Sequence, residues 1–231
     1  MYSAPQMDPD WMAARRGRIN GGTWYDVVNN RLEPEFVEKV CGDNIITITP
    51  GASYGIDNED TARQTYLTEH RVAADNWFIP GLCIPGSAGK LHSWIPVEER
   101  FLLAHVSGSA DLVLHRREQL RVVELKCPIT GKIYPDALRG RARPGHYTQV
   151  QANAGIMGAE RCDYFVWTPT NGTKCIRMGF NEPHYRAALT AVMETLKKRI
   201  IQHVDLKKFI LPDALKEMYA RDRDVFLDSR E

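Results

Sequence analysis

Residues 107–128 read SGSADLVLHRREQLRVVELKCP, and this stretch decides the fold class. It contains two runs rich in valine and leucine, residues 110–115 and 120–126, and each run has the length and composition of a β-strand. The four polar residues between the runs are few enough for a hairpin. We therefore expect the two strands to pair antiparallel.

Helical patterns surround this hairpin. They fall on residues 9–14, 58–66, 146–157 and 185–200, and the last of them is a long amphipathic helix that ends before Pro212. Residues 162–168, with the sequence CDYFVWT, add a further strand. This order predicts an α/β fold, with a central mixed β-sheet flanked by helices, in one domain over residues 1–231.

The composition limits the classes of function. Lys plus Arg number 30 and Asp plus Glu number 29, so the net charge does not indicate a polyanionic partner. Because no apolar run is long enough for a membrane span and the N-terminus lacks a signal pattern, we expect a soluble, cytoplasmic protein. The five cysteines are scattered and form no CxxC pair, which argues against a disulfide framework and against a zinc site.

Charged residues interrupt both apolar runs of the hairpin. Residues two apart on a strand share a face, so Glu124 and Lys126 project together, and strand pairing brings Asp111 opposite residues 124–126, within one residue of register. Adjacent carboxylates repel unless a cation lies between them, and Mg²⁺, or Mn²⁺ in its place, takes such oxygen ligands. The ion would bind a scissile phosphate and activate water, while Lys126 would stabilise the developing charge. The pattern indicates a metal-dependent nuclease.

The same pattern has a plainer interpretation. Glu and Lys two apart on a strand often form a solvated face, and this spacing alone is a weak motif. Both runs are otherwise strongly apolar, however, and a charge in such a run usually has a partner or a function.

Elsewhere, residues 15–22 combine cations with three glycines, a composition that can bring backbone N–H groups close to an anion.

Motifs along most of the chain occur in the order of a known nuclease family. They are WMAARRGRI (residues 11–19), GIDNE (55–59) followed by Ala62 and Tyr66, SAD (109–111), ELK (124–126), and YTQVQ (147–151) leading to CDYFVW (162–167). With these motifs the chain resembles the phage lambda exonuclease and YqaJ-like viral recombinase family, which includes the alkaline exonucleases of large DNA viruses. The resemblance implies a restriction-endonuclease-like PD-(D/E)XK core.

The resemblance also implies a role for individual residues. Asp111 and Glu124 would hold the metal, with Glu59 contributing directly or through water, Lys126 would assist the attacking water, and Gln149 would lie beside the active site. Arg15 and Ser109 match the pocket for a terminal 5′ phosphate. The basic run Arg139, Arg141 and Arg143 is not part of the matched motifs; its composition suits a mobile solvated loop, and because Gln149 follows shortly afterwards, its arginines could also contact phosphates. The family usually has a serine at the position of Gly22, so the strength of any preference for a 5′ phosphate stays open.

The function implied is a magnesium-dependent exonuclease that degrades one strand of double-stranded DNA from 5′ to 3′ in viral or phage recombination. Its expected partners are DNA ends and a single-strand annealing protein, in the cytoplasm or nucleus of a host cell. Members of the family act either as a ring-shaped homotrimer or without a ring, and the sequence does not choose between the two. Two alternatives stay open. One is an endonuclease on DNA or RNA, and the other is a DNA-binding recombination protein that has lost catalysis.

Overall fold

The computed structural model describes residues 8–42, 49–86, 90–116, 119–211 and 213–228, and a mixed sheet of five strands forms its centre. In their order across the sheet, the strands are β2 (Trp77–Phe78), β4 (Leu112–Arg116), β5 (Gln119–Lys126), β6 (Arg161–Thr168) and β7 (Gly172–Gly179). Neighbours in the sheet pair antiparallel except β5 and β6, which are parallel. A short parallel pair, β1 (Ile19–Asn20) and β3 (Val106–Ser107), forms a second sheet.

Helices cover the sheet, as the sequence predicts. They are α1 (Pro9–Arg15), α2 (Trp24–Val28), α3 (Phe36–Cys41), α4 (Pro50–Glu69), α5 (Pro135–Leu138), α6 (Pro144–Met157), α7 (Glu182–Thr195) and α8 (Asp213–Asp228). The predicted helix over 185–200 is confirmed, although its last turn, Leu196–Ile200, widens to a π-helix. No helix in the described ranges is both long enough and apolar enough to cross a membrane.

The predicted hairpin is confirmed, and its strands extend further towards the turn than expected. Leu112 pairs with Val123, and Arg116 still pairs with Gln119, so both end residues of the expected polar turn belong to the ladder. Residues 117 and 118 lie outside the described residues. The ladder register also places Asp111 at the level of Glu124.

The alternation of β5 separates two faces of the sheet. Val123 and Leu125 pack with Phe165 beneath Ala62 and Tyr66 of α4. On the opposite face, Val122 packs with its strand neighbours beneath α6. Because side chains alternate along a strand, Glu124 and Lys126 project towards α6.

Two helices meet closely beyond this second face. A Cβ at Gly155 of α6 would lie 2.2 Å from the ring of Tyr185 on α7, so a larger residue at this position would force the helices apart. The ring of Tyr185 stacks on Trp24 of α2 at 5.6 Å between centroids. Glycine at position 155 therefore fixes how near α7 approaches α6, which carries part of the candidate site.

Helix α4 begins eight residues earlier than the sequence pattern indicates. The side chain of Thr49 accepts a hydrogen bond from the backbone N–H of Ala52, and Pro50 occupies the first turn, an arrangement that starts a helix. Gly51 and Gly55 lower the helix propensity of the first turns, and this hides the start from a pattern search. The helix spans 20 residues and brings Glu59 to one end of the sheet and Tyr66 beneath its centre.

Candidate active site

A cleft of about 360 Å³ opens where β5 ends, between α1, α4 and α6. Seven residues singled out in the sequence line it: Arg15, Glu59, Ser109, Asp111, Glu124, Lys126 and Gln149. They come from segments up to 134 positions apart in the chain, and the fold brings them to one place. We call this site the carboxylate cleft.

Asp111 is held by the backbone of the neighbouring strand. Its side chain is 9% exposed, and its Oδ2 accepts a hydrogen bond of 2.6 Å from the backbone N–H of Leu125. The residue lies directly before β4, so the hairpin register fixes where the carboxyl group sits. Asp111 and Glu124 are thus positioned by the same pair of strands.

Glu124 is buried, and each of its carboxyl oxygens has a partner. Lys126 Nζ donates to Oε1 at 2.6 Å, and Asn153 Nδ2 donates to Oε2 at 3.2 Å. Both donors stabilise the ionised form of a carboxyl group that is only 1% exposed. Glu124 therefore has a fixed orientation towards the cleft.

Asn153 fits behind Glu124 because two glycines leave room for it. A Cβ at Gly108 would lie 2.6 Å from Asn153 Oδ1, and one at Gly21 would lie 3.1 Å from the same atom. Asn153 Nδ2 also donates to the backbone oxygen of Ser109 at 3.4 Å. Sequence reasoning missed this residue. It lies four positions after Gln149 on α6, and that helical spacing is the signal that could have revealed it.

Glu59 faces the cleft from α4. Arg63 Nη2 donates to its Oε1 at 2.5 Å, while Nη1 of the same arginine donates to Asp60 on the exposed side of the helix. The ligand oxygens of Glu59, Asp111 and Glu124 do not all lie within 4.8 Å of one another. A role for Glu59 through an intervening water fits this spacing better than direct sharing of one ion.

Burial and mutual repulsion raise the pKa of two of these carboxyl groups. Burial first and the charge of Asp111 second raise the pKa of Glu59 to about 7, and the same two causes raise the pKa of Glu124. Burial lowers the pKa of Lys126, but Glu124 and Asp111 more than offset this and keep it above its ordinary value. Three carboxylates against an ammonium and a guanidinium leave the cleft with a negative balance that a divalent cation with oxygen ligands would relieve.

Arg15 brings a cation to the other side of the cleft. Its guanidinium lies 4.5 Å from the ring centre of Trp11, which also lines the cleft, and burial lowers its pKa. It forms no ion pair with any residue in the described ranges. Ser109 Oγ donates to the backbone oxygen of Gly81 at 3.5 Å, so its hydroxyl can still accept a hydrogen bond.

The glycine-rich segment after Arg15 does not offer all its amides to a ligand. The N–H of Gly17 donates to the backbone oxygen of Val40, and that of Gly22 donates to the side chain of Asn20. A backbone amide of Gly22 in this conformation therefore does not replace the serine hydroxyl that the resemblance leads one to expect there.

Gln149 and the basic run differ in their distance from the cleft. Gln149 Oε1 accepts from Lys126 Nζ at 3.4 Å. Arg143 lies 4.6 Å from the ring centre of Tyr134, which lines the cleft and was missed from the sequence. Arg139 instead pairs with Asp136, and none of the three arginines of the basic run itself lines the cleft.

A second group of possible metal ligands lies on the other face of the sheet. Side-chain atoms of His70, Asp163 and Cys175 lie within 4.8 Å of one another. Asp163 already accepts hydrogen bonds from Tyr66 and from Arg121, so its charge is largely neutralised within the protein. All five cysteines are free thiols in the structure.

Comparison with known proteins places the fold. No protein-family model and no curated protein matches the chain. Two crystal structures of the alkaline exonuclease LHK-Exo from Laribacter hongkongensis, one in complex with dAMP, match with TM-scores of 0.63 and 0.65 at 18% identity, over 93% of this chain and 99% of that one. A phage-related exonuclease from Haemophilus somnus 129PT matches with a TM-score of 0.53 at 10% identity, over 77% of this chain and 92% of that one. The chain has the fold of these exonucleases, so the resemblance inferred from its motifs is confirmed at the level of the fold.

Proposed function

We propose that this chain is a divalent-metal-dependent nuclease of one domain, residues 1–231, that degrades one strand of duplex DNA from its 5′ end. The observation that carries the proposal is the convergence of Asp111, Glu124 and Lys126 in one cleft, on the strands of a hairpin whose register fixes them. The fold shared with LHK-Exo and with the phage-related exonuclease supports the same activity.

The carboxylate cleft has the donors that a metal ion requires. Asp111 and Glu124 would hold Mg²⁺, or Mn²⁺ in its place, and Glu59 would contribute through water. When bound, the ion supplies Lewis acidity towards a phosphate and an activated water. Lys126, a compact charge bonded to Glu124, would orient the attacking water and stabilise charge on the phosphate oxygens.

Recognition of the strand end would come from the opposite wall. Arg15 has a guanidinium that lies over Trp11 and forms no ion pair within the described residues, and Ser109 has a hydroxyl that can still accept a hydrogen bond, so together they suit a terminal 5′ phosphate. Arg143, which lies over the ring of Tyr134, and Arg139 and Arg141 on the same connection would contact the phosphates that follow. A single-strand annealing protein and two further copies in a ring are the partners this role suggests.

One digestion experiment tests the class of reaction. The protein is incubated, with and without Mg²⁺, with four DNA substrates: linear duplex with a 5′ phosphate, nicked circle, covalently closed circle and single strand. We expect magnesium-dependent loss of the 5′-phosphorylated strand of the linear duplex, with closed circles left intact. Cutting of closed circles would show an endonuclease instead, and no magnesium-dependent loss of any substrate would refute a nuclease.

A further inference from the structure

A second cavity, of about 620 Å³, opens on the α4 face of the sheet. Four arginines line it: Arg71, Arg121, Arg161 and Arg177. Two histidines, His70 and His115, line it as well, and none of its lining residues within the described part of the chain is acidic. We call this cavity the arginine pocket. Arg121 lies near the start of β5, whereas Glu124 and Lys126 of the carboxylate cleft lie near its end.

Arg121 is held in place by a buried carboxylate. Its Nη1 donates to Asp163 Oδ1 and Oδ2 at 3.3 and 3.0 Å, and Tyr66 donates its hydroxyl to the same carboxylate at 2.6 Å. Asp163 is 1% exposed. One of the four cationic charges is thus balanced within the protein, and its guanidinium is oriented before any ligand arrives.

The other three arginines have no such partner. Arg71, Arg161 and Arg177 are exposed, and none of them forms an ion pair or a side-chain hydrogen bond with another residue that the structure describes. Their cations nevertheless line a common cavity. Cations that are brought together without a counter-charge are available to bind an anion.

The sheet register places three of these arginines on one face. Arg121 and Arg161 are direct partners on parallel strands and therefore project from the same face, and Arg177 lies opposite Asp163 on the next strand, also on this face. Asp163 is already bonded to Arg121 and Tyr66, so its single charge does not balance all three cations. The face keeps a net positive charge that can attract an anion.

The chemistry of the pocket favours phosphate groups. Guanidinium groups bind phosphate oxygens in a bidentate, planar arrangement. Neighbouring strands are about 4.8 Å apart, so arginines on β5, β6 and β7 together span roughly 10 Å, which is wider than one phosphate group. Half-buried Val72, Leu114 and Leu120 add an apolar wall, against which a sugar or base can pack.

We propose that the arginine pocket binds the phosphate backbone of a nucleic-acid strand at a surface separate from the carboxylate cleft. The identity of the polyanion as nucleic acid rests on the proposed function. Binding here requires no metal ion, because the cations are supplied by the protein.

Strand binding without cleavage tests the proposal. A labelled single-stranded oligonucleotide is titrated in EDTA over a series of salt concentrations, and its fluorescence anisotropy is measured. The double variant Arg161→Gln/Arg177→Gln changes two exposed side chains, and its melting temperature verifies folding. We expect affinity on the order of tenfold weaker at low salt, and a slope of log K against log salt that is smaller by about 1.4, because each phosphate contact on a single strand contributes about 0.7.

A charge-matched control separates this site from general electrostatics. Lys198→Gln/Lys207→Gln removes the same two charges from an exposed surface elsewhere. We expect this variant to keep the wild-type salt slope. Equal losses in the two double variants, or unchanged binding in Arg161→Gln/Arg177→Gln, would overturn the proposal.

Pyrophosphate separates the two possible sources of phosphate. Its binding is measured by calorimetry for the wild type and for Arg161→Gln/Arg177→Gln. If the variant loses pyrophosphate binding but keeps its affinity for the oligonucleotide, the pocket serves a small phosphate ligand and the strand proposal is wrong. Magnesium-dependent digestion of linear duplex is followed in parallel, so a failure of the proposed nuclease activity is visible independently of strand binding.

Discussion

The carboxylate cleft and the arginine pocket are built from the same two elements, and they have opposite charge. Strand β5 contributes Glu124 and Lys126 to the cleft and Arg121 to the pocket. Helix α4 contributes Glu59 to the cleft, and His70, the residue directly after α4, lines the pocket. The charged lining of the cleft is three carboxylates and two cations, whereas the charged lining of the pocket includes four arginines.

This difference shows why the net charge of the chain is uninformative. A net charge of +1 results from regions of opposite sign that cancel in the sum. A phosphate can approach the arginine pocket directly. A phosphate can approach the carboxylate cleft only when a cation lies between the phosphate and the carboxylates. Metal dependence should therefore separate the two surfaces.

The largest expected effect comes from removing a carboxylate of the cleft. Asp111→Asn keeps an oxygen that can accept the hydrogen bond from the backbone N–H of Leu125, so the hairpin should fold. It removes a negative charge that would hold the metal, and we expect cleavage to fall below detection. Strand binding in EDTA should stay at the wild-type level, because the arginine pocket is unchanged. Loss of both cleavage and strand binding would show that the carboxylate cleft and the arginine pocket are not independent.

The second effect concerns the cation of the cleft. Lys126→Ala removes the donor to Glu124 and the charge beside the phosphate, and we expect turnover to fall by about 100-fold, the scale for loss of one electrostatic stabiliser. Single-turnover kinetics at saturating Mg²⁺ measures it. Lys132→Ala, an exposed lysine outside the cleft, is the control. Normal turnover in Lys126→Ala would remove this lysine from the mechanism.

The carboxylate cleft could be predicted from the sequence because its central residues are close in the chain. Asp111 and Glu124 are joined by a short hairpin, and alternation along β5 settles which side chains share a face. Arg15, Glu59 and Gln149 required the family resemblance, because no local pattern connects residues so far apart. Asn153 and Tyr134 were missed, since their roles depend on how α6 and the preceding connection pack against the sheet.

The arginine pocket gave no local signal at all. Arg121 and Arg161 are 40 positions apart and become neighbours through the parallel pairing of β5 and β6. Parallel pairing requires a long crossover, and its register is not encoded in either strand alone. Asp163 likewise meets Tyr66 from 97 positions away. The grouping of cations is a property of the sheet, not of a motif.

The third prediction compares two neighbouring acids on α4. Both Glu59 and Asp60 bond to Arg63, but only Glu59 lines the cleft. Glu59→Gln should lower cleavage about tenfold at limiting Mg²⁺ and raise the Mg²⁺ concentration needed for half-maximal rate, because a site that loses charge binds the ion less tightly. Asp60→Asn likewise removes the negative charge from a carboxylate bonded to Arg63, but outside the cleft, and it should show the wild-type Mg²⁺ dependence. Equal shifts in both variants would assign Glu59 a structural role through Arg63.

The fourth prediction concerns strand ends. Arg15→Ala should reduce the rate on 5′-phosphorylated duplex several-fold and leave the slower rate on 5′-hydroxyl duplex unchanged, because a charge-assisted contact to the phosphate is lost. Arg31→Ala is a matched control, since Arg31 also lies over an aromatic ring, Tyr25, but outside the cleft. An equal loss on both kinds of end in Arg15→Ala would contradict its role as a receptor for the terminal phosphate.

The smallest effect is a dependence of thermal stability on pH and metal. The pKa of Glu59, at about 7, and that of Glu124 are raised above their unfolded values, so their contribution to stability is present at low pH and is lost as pH rises through the folded pKa. Bound Mg²⁺ requires the ionised carboxylates and offsets this loss. Between pH 7 and 8.5 the melting temperature in EDTA should fall by a few degrees, and the gain on adding Mg²⁺ should grow.

The choice of this pH range excludes the buried histidines as the cause of the fall in melting temperature. Burial lowers the pKa of His105 and His146 to about 3, so both are neutral in the folded protein, and in the unfolded chain they titrate near pH 6.5. The change in the free energy of unfolding that these two histidines cause therefore falls almost entirely below about pH 7. In Asp111→Asn/Glu124→Gln the gap between the EDTA and Mg²⁺ curves should be small at every pH in the range. A gap that keeps growing with pH in this variant would mean that the ion binds elsewhere, because the two carboxylates on which the comparison depends are absent.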